Sequence, residues 1–139
     1  MSPNQKRLKF VCFAIMFVGL LEILAGAFLI SGSPLAAGMR IPVGDAAYDG
    51  MIAAEVLGAV GVVAGVYCLC VGASGARVAN SPRKIGAFRT LDIVLILVAV
   101  IEFALGIMSG QLPWVEAVIA ILGIVALLSA NAAHNELLD

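Results

Sequence analysis

Phe10–Ile30 reads FVCFAIMFVGLLEILAGAFLI, an apolar run interrupted by a single charged residue, Glu22. At about 1.5 Å per residue, a helix of this length crosses the ~30 Å hydrocarbon core of a bilayer. Three further runs of the same kind follow, Met51–Val71, Phe88–Met108 and Trp114–Ala133, and little of the chain is left for a soluble domain. Of the 139 residues, 63% are hydrophobic and 12% charged, and the mean hydropathy is +1.12. That balance lies far outside the range of soluble domains. The sequence therefore predicts an all-α integral membrane protein, a four-transmembrane-helix bundle forming one domain over residues 1–139.

The net charge of −1 matters less than where the positive charges fall. Lys6, Arg7 and Lys9 precede the first run, and Arg77, Arg83, Lys84 and Arg89 surround the connection between the second and third. Arg40 alone lies in the first connection, and the third has no Lys or Arg. Because basic residues flanking a span are retained in the cytoplasm, this pattern predicts cytoplasmic N- and C-termini. It fits a multi-pass protein of a cell membrane, of the kind found in a prokaryotic inner membrane. The basic-then-apolar start has the look of a signal peptide, with Pro34–Ala37 as a tempting cleavage site. Its apolar run is longer than a signal core, holds Glu22 and has a counterpart later in the chain, so a retained helix is expected.

Cys12, Cys68 and Cys70 map to the cytoplasmic ends of their helices, where thiols stay reduced, so no structural disulfide is expected. Cys68 and Cys70 point about 200° apart on a helix and cannot share a metal. With His134 as the single histidine, neither haem nor zinc ligation is supported, and no cofactor is expected. The thiols read as small apolar packing groups.

The four runs align in pairs. Val18–Gly26, VGLLEILAG, lies over Val98–Gly106, VAVIEFALG, with Glu22 on Glu102 and Lys9 on Arg89. Ala54–Gly61, AEVLGAVG, lies over Val115–Leu122, VEAVIAIL, with Glu55 on Glu116. The simplest account is a two-helix hairpin used twice, over residues 6–71 and 86–133. Such copies would be parallel repeats about an axis along the membrane normal. Between them, residues 72–87 read as a cytoplasmic loop, with Asn80-Ser81-Pro82 as its turn. The first connection, residues 31–50, is rich in Gly, Pro and Ala. Asp45 is the expected N-cap of the second helix, and Asp45 with Asp49 makes the outer mouth acidic.

Each run thus contains one glutamate, and an ionisable residue within a span is a functional-site hypothesis by default. Counted from the outer ends, Glu22 and Glu102 lie roughly 9 to 12 Å deep and Glu55 and Glu116 roughly 3 to 6 Å deep. Their helical neighbours are small: Gly19, Ala25 and Gly26 for Glu22; Ala99, Gly106 and Ser109 for Glu102; Gly58 and Ala59 for Glu55; Ala120 and Gly123 for Glu116. Small-residue faces meet other helices, so the glutamates are expected to point into the bundle or a subunit interface. Gly61 and Gly65 add a GxxxG motif at a different angle from Glu55. Gly26, Gly106, Gly61 and Gly65 are the expected packing glycines. Four short helices enclose little volume, so a homo-oligomer, a dimer first, is expected.

Carboxylates at matched depth suit a cation or a shared proton. A divalent ion takes oxygen ligands, with Glu22 and Glu102 as its candidate metal ligands. The expected function is therefore a cation or proton-coupled transporter, with the deep pair as the site and Glu55 and Glu116 as its entrance. The alternative is a non-catalytic scaffold or accessory subunit whose glutamates hold helices or a partner together. No nucleophile arrangement, nucleotide loop or nucleic-acid signature is present, so neither an enzyme nor a nucleic-acid partner is expected. Asp92 reads as an i,i+3 ion pair with Arg89, and Trp114 and Tyr48 as interfacial anchors. The layout loosely resembles that of the small multidrug resistance transporters, four short helices with a glutamate midway along the first. The aromatic surroundings and later-helix motifs of that family have no counterpart here, and no family is assigned.

Overall fold

The structure, a computed structural model, describes every residue except Gly44, Ser109, Gln111 and Asp139. Four helices dominate it: α1 (Pro3–Gly32), α2 (Gly50–Asn80), α3 (Ile85–Met108) and α4 (Trp114–Asn135). All four are long and apolar enough to cross a membrane. Much of their apolar surface faces outward, Phe10 being 76% and Phe28 77% exposed. Apolar exposure on that scale is a liability in water and is what lipid covers, so the architecture is compatible with a multi-pass membrane protein.

The helices run further than their apolar stretches. α1 begins at Pro3 because Ser2 and Gln5 close a capping box: the Gln5 amide donates to Ser2 Oγ (3.2 Å) and the Ser2 amide to Gln5 Oε1 (2.8 Å). Proline at the first helical position has no amide to leave unsatisfied. α2 continues through residues 72–80, which the sequence assigned to a loop. The Gly residues there are poor evidence for a helix by propensity, yet Gly72 and Gly75 are buried. Close packing outweighs the intrinsic cost. The actual break is short: Ser81, then one 3-10 turn over Pro82–Lys84.

The first connection holds a structure that its composition did not announce, an antiparallel hairpin of β1 (Arg40–Val43) and β2 (Ala46–Asp49) with Arg40 opposite Asp49. It corrects the capping expectation as well. Asp45 lies in the hairpin turn, whereas Asp49 Oδ1 accepts from the Met51 amide (2.9 Å) at the start of α2 and Oδ2 from the Gly38 amide (3.2 Å). An N-cap oxygen is useful only to the amides one turn ahead of it, and Asp49 is the acid within reach.

The chain divides into two compact units, Met1–Val18 with Cys68–Asp139, and Gly19–Tyr67. In the first, the buried positions of α3 are Ile85, Phe88, Asp92, Leu95 and Ala99, at alternating steps of three and four. On α4, Ile119, Gly123, Ala126, Ala130 and Ala133 step by four and three. This is the spacing of a heptad seam, which keeps one face of each helix turned to its partner. Leu8, Cys12 and Ile15 of α1 and Cys68 and Val71 of α2 complete this core. The end of α4 is tied down by Arg89 donating to Asn131 Oδ1, Asn4 donating to Glu136 Oε1, and His134 Nδ1 at 3.0 Å from the Pro82 carbonyl. His134 therefore belongs to a helix contact.

In the second unit, α1 and α2 meet through glycine. A Cβ on Gly26 would lie 2.5 Å from the Gly58 carbonyl oxygen, one on Gly58 would lie 2.6 Å from that of Gly26, and one on Gly65 would strike the Gly19 carbonyl. Gly61 lies beside them, against the Glu22 carbonyl and Gly26. The GxxxG motif is thus spent within the chain. Gly106, the fourth packing glycine, faces the Pro113 ring across the α3–α4 turn.

Candidate functional site

The four glutamates fall two to a unit. Glu22 and Glu55 belong to Gly19–Tyr67, and Glu102 and Glu116 to the other unit. The deep pair expected from sequence, Glu22 with Glu102, is divided between them. In the second unit, Glu55 meets Ser33.

Glu55 does not turn into the bundle of its own chain. It is exposed, and its Oε1 accepts from the hydroxyl of Ser33, itself 2% exposed (3.2 Å). The reason lies in helical geometry. The contact face of α2 is centred on Gly58, Gly61 and Gly65, and a residue three positions before Gly58 stands at its edge. Glu22 is half-buried on α1, with its carbonyl facing Gly61.

Glu102 and Glu116 are both half-buried, and the charge of Glu116 acts on Glu102. The seams account for their meeting. Glu102 is three residues beyond Ala99 and Glu116 three residues before Ile119, so each continues the heptad of its helix to the α3–α4 turn. Gly106 against Pro113 closes the turn tightly just beyond them. Two like charges in apolar surroundings are tolerated when a proton or a cation lies between them. The pair is therefore chemically suited to hold either. Of the stripe read beside Glu102, Ser109 lies outside the described residues.

Asp92 is the residue that sequence reasoning misjudged. Arg89, its expected partner, turns to Asn131. Asp92 is fully buried, and neither of its carboxyl oxygens has a hydrogen-bond partner. The signal was available: stepping back along the seam from Glu102 through Ala99 and Leu95 arrives at Asp92, which places it in the core and not at the interface. Cys12 and Cys68 are buried and Cys70 is exposed, and none of the three is in a disulfide.

Among the described residues no three His, Cys, Asp or Glu side chains converge as a metal site. A groove of about 380 Å³ in the second unit is lined by Ile41, Tyr48, Ile52, Ala53, Val56 and Leu57. It offers a ligand apolar contact and, apart from Tyr48, no side-chain polar group to orient it. No protein-family model, curated protein or solved structure matches the chain.

Proposed function

We propose that this chain is a small multi-pass membrane protein that binds and transfers protons or cations, with Glu102 and Glu116 as the exchanging pair. The observation that carries the reading is the placement of two half-buried carboxylates at the α3–α4 turn, one continuing the seam of each helix. A packing role has no need of a carboxylate on each of two adjoining seams. An exchanger does, because one carboxylate cannot lose its proton without altering its neighbour's hold on a cation. Glu22, with the Ser33–Glu55 contact, supplies the corresponding acids of the other hairpin.

The wider reading keeps the charge-sorted topology, with cytoplasmic termini, and the duplicated hairpin. The seams support the duplication. Leu8, Cys12, Ile15, Gly19, Glu22 and Gly26 step along α1 as Phe88, Asp92, Leu95, Ala99, Glu102 and Gly106 step along α3, at the register that lays Glu22 on Glu102. A second copy of the chain, as a homodimer, would add its own carboxylates as oxygen ligands for a divalent cation.

Proteoliposomes loaded with a pH-sensitive dye test the reading. An imposed Na⁺, K⁺, Mg²⁺ or tetraphenylphosphonium gradient should drive proton movement that Glu102→Gln and Glu116→Gln each abolish while the variants keep the wild-type elution volume. Movement equal to that of empty liposomes, or unchanged by both substitutions, refutes it. Loss of assembly in both variants would favour the scaffold reading, in which the acids hold helices or a partner subunit together.

A further inference from the structure

We propose that Asp92 is a second, separate proton-binding site, buried at the meeting of α1, α2, α3 and α4 within the unit Met1–Val18 with Cys68–Asp139. It lies ten residues before Glu102, about 15 Å along α3, and has no part in the exchange proposed for the glutamates.

Asp92 holds a seam place between Phe88 and Leu95 where an apolar residue is the ordinary occupant. Its side chain is 0% exposed, and both carboxyl oxygens lack a hydrogen-bond partner. A buried polar atom in this state is rare and calls for a ligand or a function. The packing then limits what the ligand can be. On the α4 side, a methyl group added to Gly123 would come 3.3 Å from Asp92 Oδ1 and 2.7 Å from Ile96 Cγ1. On the α2 side, one added to Gly75 would strike Cys12 Sγ and stand 2.6 Å from the Phe88 ring. Where a methyl group does not fit, neither does a hydrated ion. A bare divalent cation needs six or more oxygen ligands, and no such cluster exists among the described residues. The ligand with room to enter is a proton.

The surroundings contain little else that titrates. α1 presents the Cys12 thiol, near enough for the charge of Asp92 to act on it. α2 contributes the buried Cys68 thiol to the same core, α4 presents the uncharged Gly123, and Arg89 on the same helix is engaged by Asn131. The step itself is a simple association: a carboxylate oxygen takes a proton from water to give the neutral acid, and the reverse returns it. Because the group is sealed, exchange waits on transient separation of the helices. Asp92 and Cys12 occupy equivalent places in the two aligned hairpins, so the duplication carries an acid in one copy and a thiol in the other.

Infrared spectroscopy of the full chain in lipid bilayers, titrated with pH, tests this directly. A carboxyl group that donates no hydrogen bond absorbs at the high-frequency end of the carboxylic C=O region, apart from hydrated acids. Such a band is expected, appearing and vanishing reversibly with pH, lost in Asp92→Asn and retained in Glu102→Gln and Glu116→Gln. Should Asp92→Asn fail to fold, wild-type protein labelled with ¹³C at the aspartate carboxyl carbon serves instead, because label then shifts aspartate bands and leaves glutamate bands in place. Absence of an aspartate carboxyl band at every pH, or its persistence in Asp92→Asn, overturns the proposal. Neither outcome depends on whether the protein transports anything.

Discussion

Gly26→Ala adds one methyl group where the structure has no room for it. The new Cβ would lie 2.5 Å from the Gly58 carbonyl oxygen and 2.9 Å from the Val62 amide nitrogen. Both are backbone atoms and cannot rotate away. α1 and α2 must open there by about half an ångström merely to reach 3.0 Å, and the opening would loosen the neighbouring contacts of Gly61 and Gly65. Overpacking of this sort costs about 1–3 kcal/mol, and the rigid neighbours put it near the top of that range. Against it stands the better helix propensity of alanine, ~1 kcal/mol. The net expectation is a loss of about 2 kcal/mol. Gly86→Ala isolates the second term, since a Cβ there meets nothing within 4 Å, and it should be neutral or stabilising by up to ~1 kcal/mol. The same chemical change thus has opposite signs at two positions. Equilibrium unfolding in mixed micelles, followed by far-ultraviolet circular dichroism, measures both. Gly26→Ala matching or exceeding wild-type stability would refute the close α1–α2 contact.

Asp49→Ala removes the acceptor for both the Met51 and Gly38 amides and should cost about 1 kcal/mol, with proteolysis at residues 37–50 becoming faster; Asp45→Ala should change neither. Glu102→Gln and Glu116→Gln should couple, the double variant departing from the sum of the single ones by about 0.5–3 kcal/mol in an unfolding cycle. Additivity within error would mean that the two carboxylates do not act on each other. Ser33→Ala should leave Glu55 without its one described donor and lower stability by about 1 kcal/mol, whereas in Glu55→Gln, which still accepts, most of that should be retained.

Membrane-length helices were legible because length and apolarity alone produce them, and the small residues at Gly26, Gly58 and Gly65 were legible because only glycine permits backbones to touch. The hairpin at Arg40–Asp49 was not legible. Its strands are four residues each and carry a proline, and what organises them is the pair of amides on Asp49, a contact that sequence spacing does not reveal. The extension of α2 through Gly75 was hidden for a related reason: its glycines signal a loop by propensity and a helix contact by packing, and only the partner residues Cys12 and Phe88 decide between them. The glutamates were found by their charge, but their grouping was not. Matched depth suggested one cluster, and depth says nothing about which seam a side chain occupies.

That distinction bears most on Asp92. A carboxyl group with no partner in a closed core forfeits about 1–3 kcal/mol relative to a well-packed apolar residue, and leucine has nearly the same reach. If the chain needed only packing at this seam position, Asp92→Leu would be an improvement. We therefore expect Asp92→Leu to raise unfolding stability by about 1–2 kcal/mol, most of the forfeited amount, while erasing whatever pH response the buried group supplies. Strong destabilisation by Asp92→Leu would contradict the absence of a partner, because only a carboxyl group engaged in an interaction worth several kcal/mol could be missed so much.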